Sequence, residues 1–298
     1  MRILPVGDSM TIGSAGEHTW RHRLWRHLRG RPGGPFRFVG PRSALWDPRA
    51  GAAVSHGYAD PSFPAPDRHH LAGWGEGWLH MAPLIRETVT AHRPDLLLVS
   101  LGLIDLGFYT DAGQTAVNVR RFLTEARAAD PGVRMVLLPV LPNSRAVDDP
   151  AFAAQVGRFN RLLEEMVSGD GDGDGDGDGD GDGSGGGDAG GSAVRAGLEG
   201  PRLVLAAPPP GWDLLRDTYD GTHPGVRGEH RLAAAFADAL HRTWGIGGPY
   251  GADRWERPEE SRGTEPPDGT APALPAPREP SDPGERPVRR EAALPTAG

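Results

Sequence analysis

MRILPVGDSMTIG, residues 1–13, opens on a short apolar run, Arg2 to Val6, that reads as a buried strand. The run breaks at Gly7-Asp8-Ser9 and reaches a second glycine, Gly13, just past the polar Thr11. A strand that ends in a glycine-bracketed turn and leads towards a helix places that turn at the carboxyl edge of a sheet. Open α/β sheets hold their ligands at this edge. Ser9 is then presented to solvent, and the backbone N–H groups after it are available to an anion. Gly-Asp-Ser is equally ordinary turn chemistry, so the tripeptide needs a partner before it means more.

Outward from this stretch the chain alternates strand and helix. Glu17 to Arg29 spaces Trp20, Leu24 and Leu28 four apart, the period of an amphipathic helix. Its other face, Arg21, His22, Arg23, Arg26 and His27, is expected to be a solvated basic face rather than a binding patch. Gly30 to Gly34 ends the helix, and Phe36 to Val39 reads as a second strand. Residues 40–75 form a long loop rich in proline, glycine and histidine, of the kind that often builds sites. A helix is expected from about Leu79 to His92. Asp95 to Leu101 (DLLLVSL) is a continuous apolar run, as in a central strand buried on both faces.

Ala112 to Ala129 is the next helix, and Arg134 to Val140 the next strand. Asp149-Pro150 supplies an N-cap and a first-turn proline for a helix to about Val167. Arg202 to Ala206 is the last strand, and a helix over 226–244 closes the domain. Five short strands alternating with helices predict an α/β fold, a three-layer α/β/α sandwich around a parallel, five-stranded flavodoxin-like sheet.

Two segments stand apart from this pattern. Residues 169–192 hold eight Asp and no basic residue, mostly as alternating Gly-Asp. Repelling charges, abundant glycine and almost nothing apolar to bury mark an insert, spanning 169–197, that is expected to be disordered. From 249 to 298 eleven of fifty residues are proline among mixed charges, which predicts a disordered tail. The formal net charge of −8 belongs to these appendages. Residues 169–192 contribute −8 and the tail, with ten acidic residues and seven Arg, −3, so the remainder of the chain is about +3.

All 32 basic residues are Arg, which looks like coding bias and not a nucleic-acid signal. Without cysteine the chain has neither disulfides nor thiolate metal ligands. Asp67, His69 and His70 lack metal-ligand spacing, so no metal or cofactor is expected. No run approaches the roughly 20 apolar residues of a membrane span, and no secretory leader precedes Ser9. The expected location is cytoplasmic. Oligomeric state has no readable signature.

The partner for Ser9 lies in Tyr219-Asp220-Gly221-Thr222-His223-Pro224. An Asp three residues before a His, in a glycine-containing turn ahead of a helix, can accept a hydrogen bond from imidazole Nδ1–H. The other ring nitrogen is then free to take a proton from a hydroxyl. With Ser9 near one end and Asp220/His223 near the other, the chain resembles the SGNH (GDSL) family of serine esterases and lipases over roughly Met1 to Gly248, less the insert. No GxSxG elbow occurs, which argues against the α/β-hydrolase solution.

The resemblance implies that Ser9 is the nucleophile, His223 its base and Asp220 the group that orients the base. It also implies an oxyanion hole from the N–H groups of Ser9 and of a glycine ahead of the helix at Leu79. Gly77 fits that position best, with Gly73 and Gly75 as alternatives. The family's third donor is the Asn of Gly-x-Asn-Asp, and here Gly102-Leu103-Ile104-Asp105 puts Ile104 in its place. Losing one such donor typically costs about 10²–10³ in rate. Asp105 is kept, as a brace for its loop. Asn143, after the fourth strand, either supplies a substitute amide or caps its loop. Asp8, Trp78, Ile104 and Asn143 are the candidate lining of the substrate pocket, and Trp74 is another possible wall. The function expected is hydrolysis of small carboxylic esters, including acetyl esters of sugars. The missing Asn leaves a non-hydrolytic acyltransferase, a cyclase or a binding protein as the alternative.

Overall fold

The computed structural model describes residues 1–171 and 200–251. The insert and the tail lie outside the described residues, except for 169–171 and 249–251.

β1 (Arg2–Gly7) sits at the centre of a parallel sheet with β6 (Leu96–Ser100) on one side and β2 (Arg37–Phe38) on the other. β7 (Arg134–Leu138) and β8 (Leu203–Leu205) continue beyond β6, giving the order β2-β1-β6-β7-β8. In register, Ile3 pairs with Leu96 and Gly7 with Ser100, so Ser9 leaves the sheet at its carboxyl edge. Every residue of β6 and β7 is buried, which explains their unbroken apolar sequence. α2 (Thr19–Leu28) and α9 (Val226–Trp244) pack together, while α4 (Ile85–His92), α5 (Ala112–Ala129) and α7 (Pro150–Gly171) pack in series. The architecture is the three-layer α/β/α sandwich. No helix among the described residues is long and apolar enough to cross a membrane.

Several elements differ from their sequence reading, each for a physical reason. A sixth strand, β5 (Leu71–Ala72), pairs with β1 at Val6 and Gly7, beyond the end of β2. Two residues are too few for periodicity to register. The loop around it also contains an antiparallel hairpin, β3 (Leu45–Asp47) and β4 (Ala52–Ser55). The helix expected from Leu79 is two pieces, α3 (Trp78–Met81) and α4, separated at Pro83, which has no N–H to give the ladder. α7 runs past Val167 to Gly171. The chain after α9 packs back as far as Tyr250, whose hydroxyl meets His230 Nδ1 at 2.7 Å.

The main correction concerns α2. Its Arg/His face is not solvated: Arg21, His22, Arg23 and His27 are all buried, and of the five only Arg26 is exposed. One side of α2 packs on α9, and the 40–72 loop covers the other, so these cations are satisfied internally. Arg23 Nε donates to Glu229 Oε2 at 3.0 Å, and Glu229 Oε1 accepts the Thr19 N–H at 2.8 Å. His22 Nε2 meets Asp60 Oδ2 at 2.9 Å. Burial pushes the Glu229 carboxyl up to about 7 against the pull of Arg23.

This pair clamps α9 to α2 and so sets the position of the loop that precedes α9. Breaking a buried pair from one side typically costs about 3–5 kcal/mol. Glu229→Ala should therefore lower stability by that order in denaturant unfolding at pH 8. A loss below about 1 kcal/mol would show that the clamp is mere packing.

Candidate active site

Ser9 opens α1 (Ser9–Ile12), a single turn directly after β1. Asp8 caps the turn, its Oδ1 accepting the Met10 N–H at 3.0 Å. Gly13 ends it with φ of 72°, a left-handed conformation that a side chain would resist. The carbonyls left at the end of α1 are taken by the buried Arg21. Its Nε donates to Thr11 O at 2.9 Å and its Nη2 to Ile12 O at 3.1 Å. The seryl turn is thus held by a cap at one end and a guanidinium at the other. The Ser9 N–H, at the first position of the turn, has no intrahelical acceptor.

His223 reaches Ser9 from a tight loop between α8 (Leu214–Asp217) and α9. Asp220 organises that loop, its Oδ1 accepting the N–H groups of His223 at 2.7 Å and Thr222 at 3.0 Å. The other carboxylate oxygen meets His223 Nδ1 at 2.7 Å, and His223 Nε2 lies 2.9 Å from Ser9 Oγ. Burial works against the charge on Asp220. The hydrogen bond from His223, the imidazole's charge and the two N–H groups outweigh it and hold the carboxyl below its usual range. Ser9 is only 2 % exposed, whereas Asp220 at the other end of the series reaches solvent. In such a series the carboxylate selects the tautomer that leaves Nε2 to receive a hydroxyl proton.

Around this centre the expected oxyanion donors are arranged unequally. The Gly77 N–H donates to His80 Nδ1 at 3.1 Å, at the start of α3. The Gly73 N–H donates to Gly7 O at 3.2 Å. The Gly75 N–H has no partner among the described residues. Glycine at 77 is required by space, because a Cβ there would lie 2.2 Å from Asp105 Oδ2. Asp105 is the brace that its sequence position suggests. Its two oxygens accept the N–H groups of Trp78 at 2.8 Å and Leu79 at 3.0 Å.

Ile104 is buried and precedes a π-helical turn, Asp105–Tyr109. Asn143 caps α6 (Ser144–Asp148), its Oδ1 accepting the Ala146 N–H at 3.0 Å. It also lines a cavity with Asp8, Met10, Leu103, Trp212 and Thr222. Of the residues expected to line a substrate pocket, Trp78 does not. It is fully buried against Phe122, with ring centroids 5.1 Å apart, because α3 turns it into the core. Asp67, His69 and His70 are spread over separate structural bonds, to Trp25 Nε1, Gly40 O and Ala44 O.

Sequence reasoning named Trp74 only as a pocket wall and did not foresee the rings that stack on His223. Trp74 and Tyr219 both stack on His223, and Trp46 stacks on Trp74. Trp46 lies in a three-residue strand and carries no periodic signal. Arg21 was legible only as one of several basic residues on a helix.

A doubly wound α/β sandwich with a serine, histidine and aspartate in hydrogen-bonded series at its carboxyl edge defines a class of SGNH-like proteins. The chain belongs to the GDSL-like lipase/acylhydrolase family, whose model matches residues 6–231. Its fold is similar to a family 3 carbohydrate esterase from Talaromyces cellulolyticus, at 19 % identity, 81 % of this chain, 97 % of that one and a TM-score of 0.58. The family 3 carbohydrate esterase of Clostridium thermocellum is similar at 19 % identity, 81 % and 96 % coverage and a TM-score of 0.56. TesA is similar at 16 % identity, 82 % and 99 % coverage and a TM-score of 0.50. No curated protein matches the chain.

Asp8 carries a pH signature. Burial raises its pKa to about 7, well above the ordinary carboxyl value near 4. The native state keeps this proton longer than the unfolded chain, so Asp8 subtracts stability progressively as pH rises from about 4 to about 7. Asn at the same position still caps Met10 but has no proton to lose. The melting temperature of Asp8→Asn relative to wild type should therefore increase between pH 4 and pH 8. A difference that stays constant with pH would refute this account.

Proposed function

We propose that this protein is a serine hydrolase that cleaves carboxylic esters of small or acylated substrates, carbohydrate esters among them, through an acyl-enzyme on Ser9. The observation that carries the reading is the continuous series from Ser9 Oγ through His223 to Asp220, with contacts of 2.9 and 2.7 Å. A serine hydroxyl is a weak nucleophile at neutral pH and needs a positioned base. His223 Nε2 takes the Ser9 proton as Oγ attacks the ester carbonyl, and Asp220 stabilises the imidazolium that forms. The imidazolium then protonates the leaving alcohol, and water resolves the acyl-enzyme by the same route in reverse.

The Ser9 N–H is one donor to the developing oxyanion. Gly77 serves as the second once the substrate oxygen replaces His80 Nδ1, and Gly75 is the alternative. A small cavity lies beside the seryl turn. Asp8 and Asn143 give it polar edges, and Met10, Leu103 and Trp212 give it an apolar wall. The likeness in fold to carbohydrate esterases is in keeping with the hydrolase reading.

A second reading rests on Ile104. A buried aliphatic side chain where the family carries an amide removes a donor and makes that side of the site apolar. Under this reading the acyl group passes to an acceptor other than water, by transfer or cyclisation.

Turnover of p-nitrophenyl acetate and butyrate by wild type, Ser9→Ala, His223→Ala and Ile104→Asn tests both readings. Hydrolysis predicts losses of roughly 10³-fold or more in the first two variants. It also predicts a gain with Ile104→Asn, up to the 10²–10³-fold that one oxyanion donor is typically worth. A fall in turnover with Ile104→Asn would favour the transfer reading. Absence of Ser9-dependent turnover in wild type would overturn the hydrolase.

A further inference from the structure

His223 is held at its edge by two hydrogen bonds, through Nδ1 to Asp220 and through Nε2 to Ser9. Both bonds lie in the plane of the ring. The remaining soft motion of the imidazole is rotation about its Cβ–Cγ bond. A swing of this kind carries the Nε2 lone pair off the Ser9 hydroxyl, and hydrogen bonds weaken steeply with misalignment.

The rings stacked on His223 resist that swing. The Trp74 centroid lies 4.8 Å from the imidazole at an interplanar angle of 17°. Tyr219 lies 5.7 Å away at 16°. Trp46 backs Trp74 at 5.1 Å and 19°. We propose that Trp74 and Tyr219 form an aromatic cradle that positions the His223 imidazole for proton transfer, with Trp46 as its buttress. The proposal rests on the reading that Ser9 and His223 are the working pair.

Each part of the cradle is fastened to the segment it serves. The Trp46 N–H donates to Gly13 O at 2.9 Å, and Trp46 O accepts the Ala15 N–H at 2.8 Å, just beyond the seryl turn. The Trp74 loop is tied to β1 by the Gly73 N–H on Gly7 O, and an ion pair between Arg42 and Glu76 spans it. The Tyr219 N–H donates to His223 O at 3.0 Å, so the tyrosine and the histidine share one turn. Near its hydroxyl, Tyr219 faces Ser14 and the buried Glu17 carboxyl, which itself accepts the Ser14 N–H at 2.9 Å. The backbone carrying each ring is thus fixed relative to the nucleophile's own strand or turn.

The cradle also discriminates between the two states of the base. Aromatic faces attract a cation within about 6 Å of the ring centre. The imidazole is neutral before attack and cationic in the transition state, so this attraction grows along the reaction. Only interactions that strengthen in the transition state accelerate the chemical step. Because Trp74 stacks within the protein on both Trp46 and His223, the cradle predicts an effect on kcat and little on KM.

The test uses the full chain with Trp74→Leu, Trp74→Phe and Tyr219→Leu, each checked for folding. Kinetics with p-nitrophenyl acetate should show kcat reduced about tenfold in Trp74→Leu, with KM within about threefold of wild type. Trp74→Phe should recover most of that loss, since Phe retains a stacking face. Tyr219→Leu should lose roughly threefold, because its ring is the more distant. Labelling of Ser9 by a fluorophosphonate should slow in the same order.

Independently of turnover, NMR of histidine-labelled protein should show the His223 ring protons shifted upfield by ring currents, and the shift should shrink in both Leu variants. Unchanged kcat in both Leu variants, a loss confined to KM, or a Phe variant no better than Leu would overturn the cradle. So would His223 ring protons at free-histidine positions. If Trp74→Leu does not fold, the exposed Tyr219 position decides the matter alone. If wild type has no Ser9-dependent turnover, the hydrolase reading fails, and the ring shifts still judge the stacking.

Discussion

A hydrogen bond of 2.9 Å joins Ser9 and His223 across 214 residues of chain, and the surrounding structure is arranged to deliver both of its ends. Ser9 arrives on the central strand of a parallel sheet, in a turn that Asp8 caps and Arg21 closes. His223 arrives on a loop whose shape comes from Asp220, which binds the backbone of that loop before it binds the imidazole. The two ends meet because α2 and α9 are locked by Arg23 and Glu229. Displacement of either helix by a fraction of an ångström would be felt directly at a contact of this length.

The same arrangement places much of the chain's polar chemistry indoors. Arg21, Arg23, Glu229, Asp8 and Asp105 are all buried, and each is matched to a partner. A buried charge without a partner costs far more than an exposed one, so these matches act as positional constraints. Asp105 illustrates the point. It fixes the first N–H groups of α3 and also forbids a side chain at Gly77. The carboxylate therefore fixes both the start of α3 and the glycine ahead of it.

Ile104 stands where the Gly-x-Asn-Asp pattern has Asn, and the Gly77 N–H is engaged by His80. The base side, by contrast, is reinforced by rings stacked on His223.

Strands β1, β6 and β7, helices α5 and α9, and the spacing of Ser9, Asp220 and His223 were all legible in the sequence. Their signals are local, in apolar runs, a 3.6-residue period and turn chemistry. The capping role open to Asn143 and the bracing role of Asp105 followed from residue type and place. The buried face of α2 was not legible, since Arg21, His22 and Arg23 read as solvent-facing until the partners that neutralise them are known. Those partners, Glu229 and Asp60 among them, come from distant parts of the chain. Trp78 was read towards the pocket and lies in the core, because the direction of a single-turn helix is set by its neighbours. The stack of Trp46 and Trp74 on His223 joins three separate loops. By itself the sequence determined the fold class and the family, because these depend on local pattern. Burial, the pairing of charges and the stacking on the base depend on contacts between remote segments, and only the tertiary structure decided them.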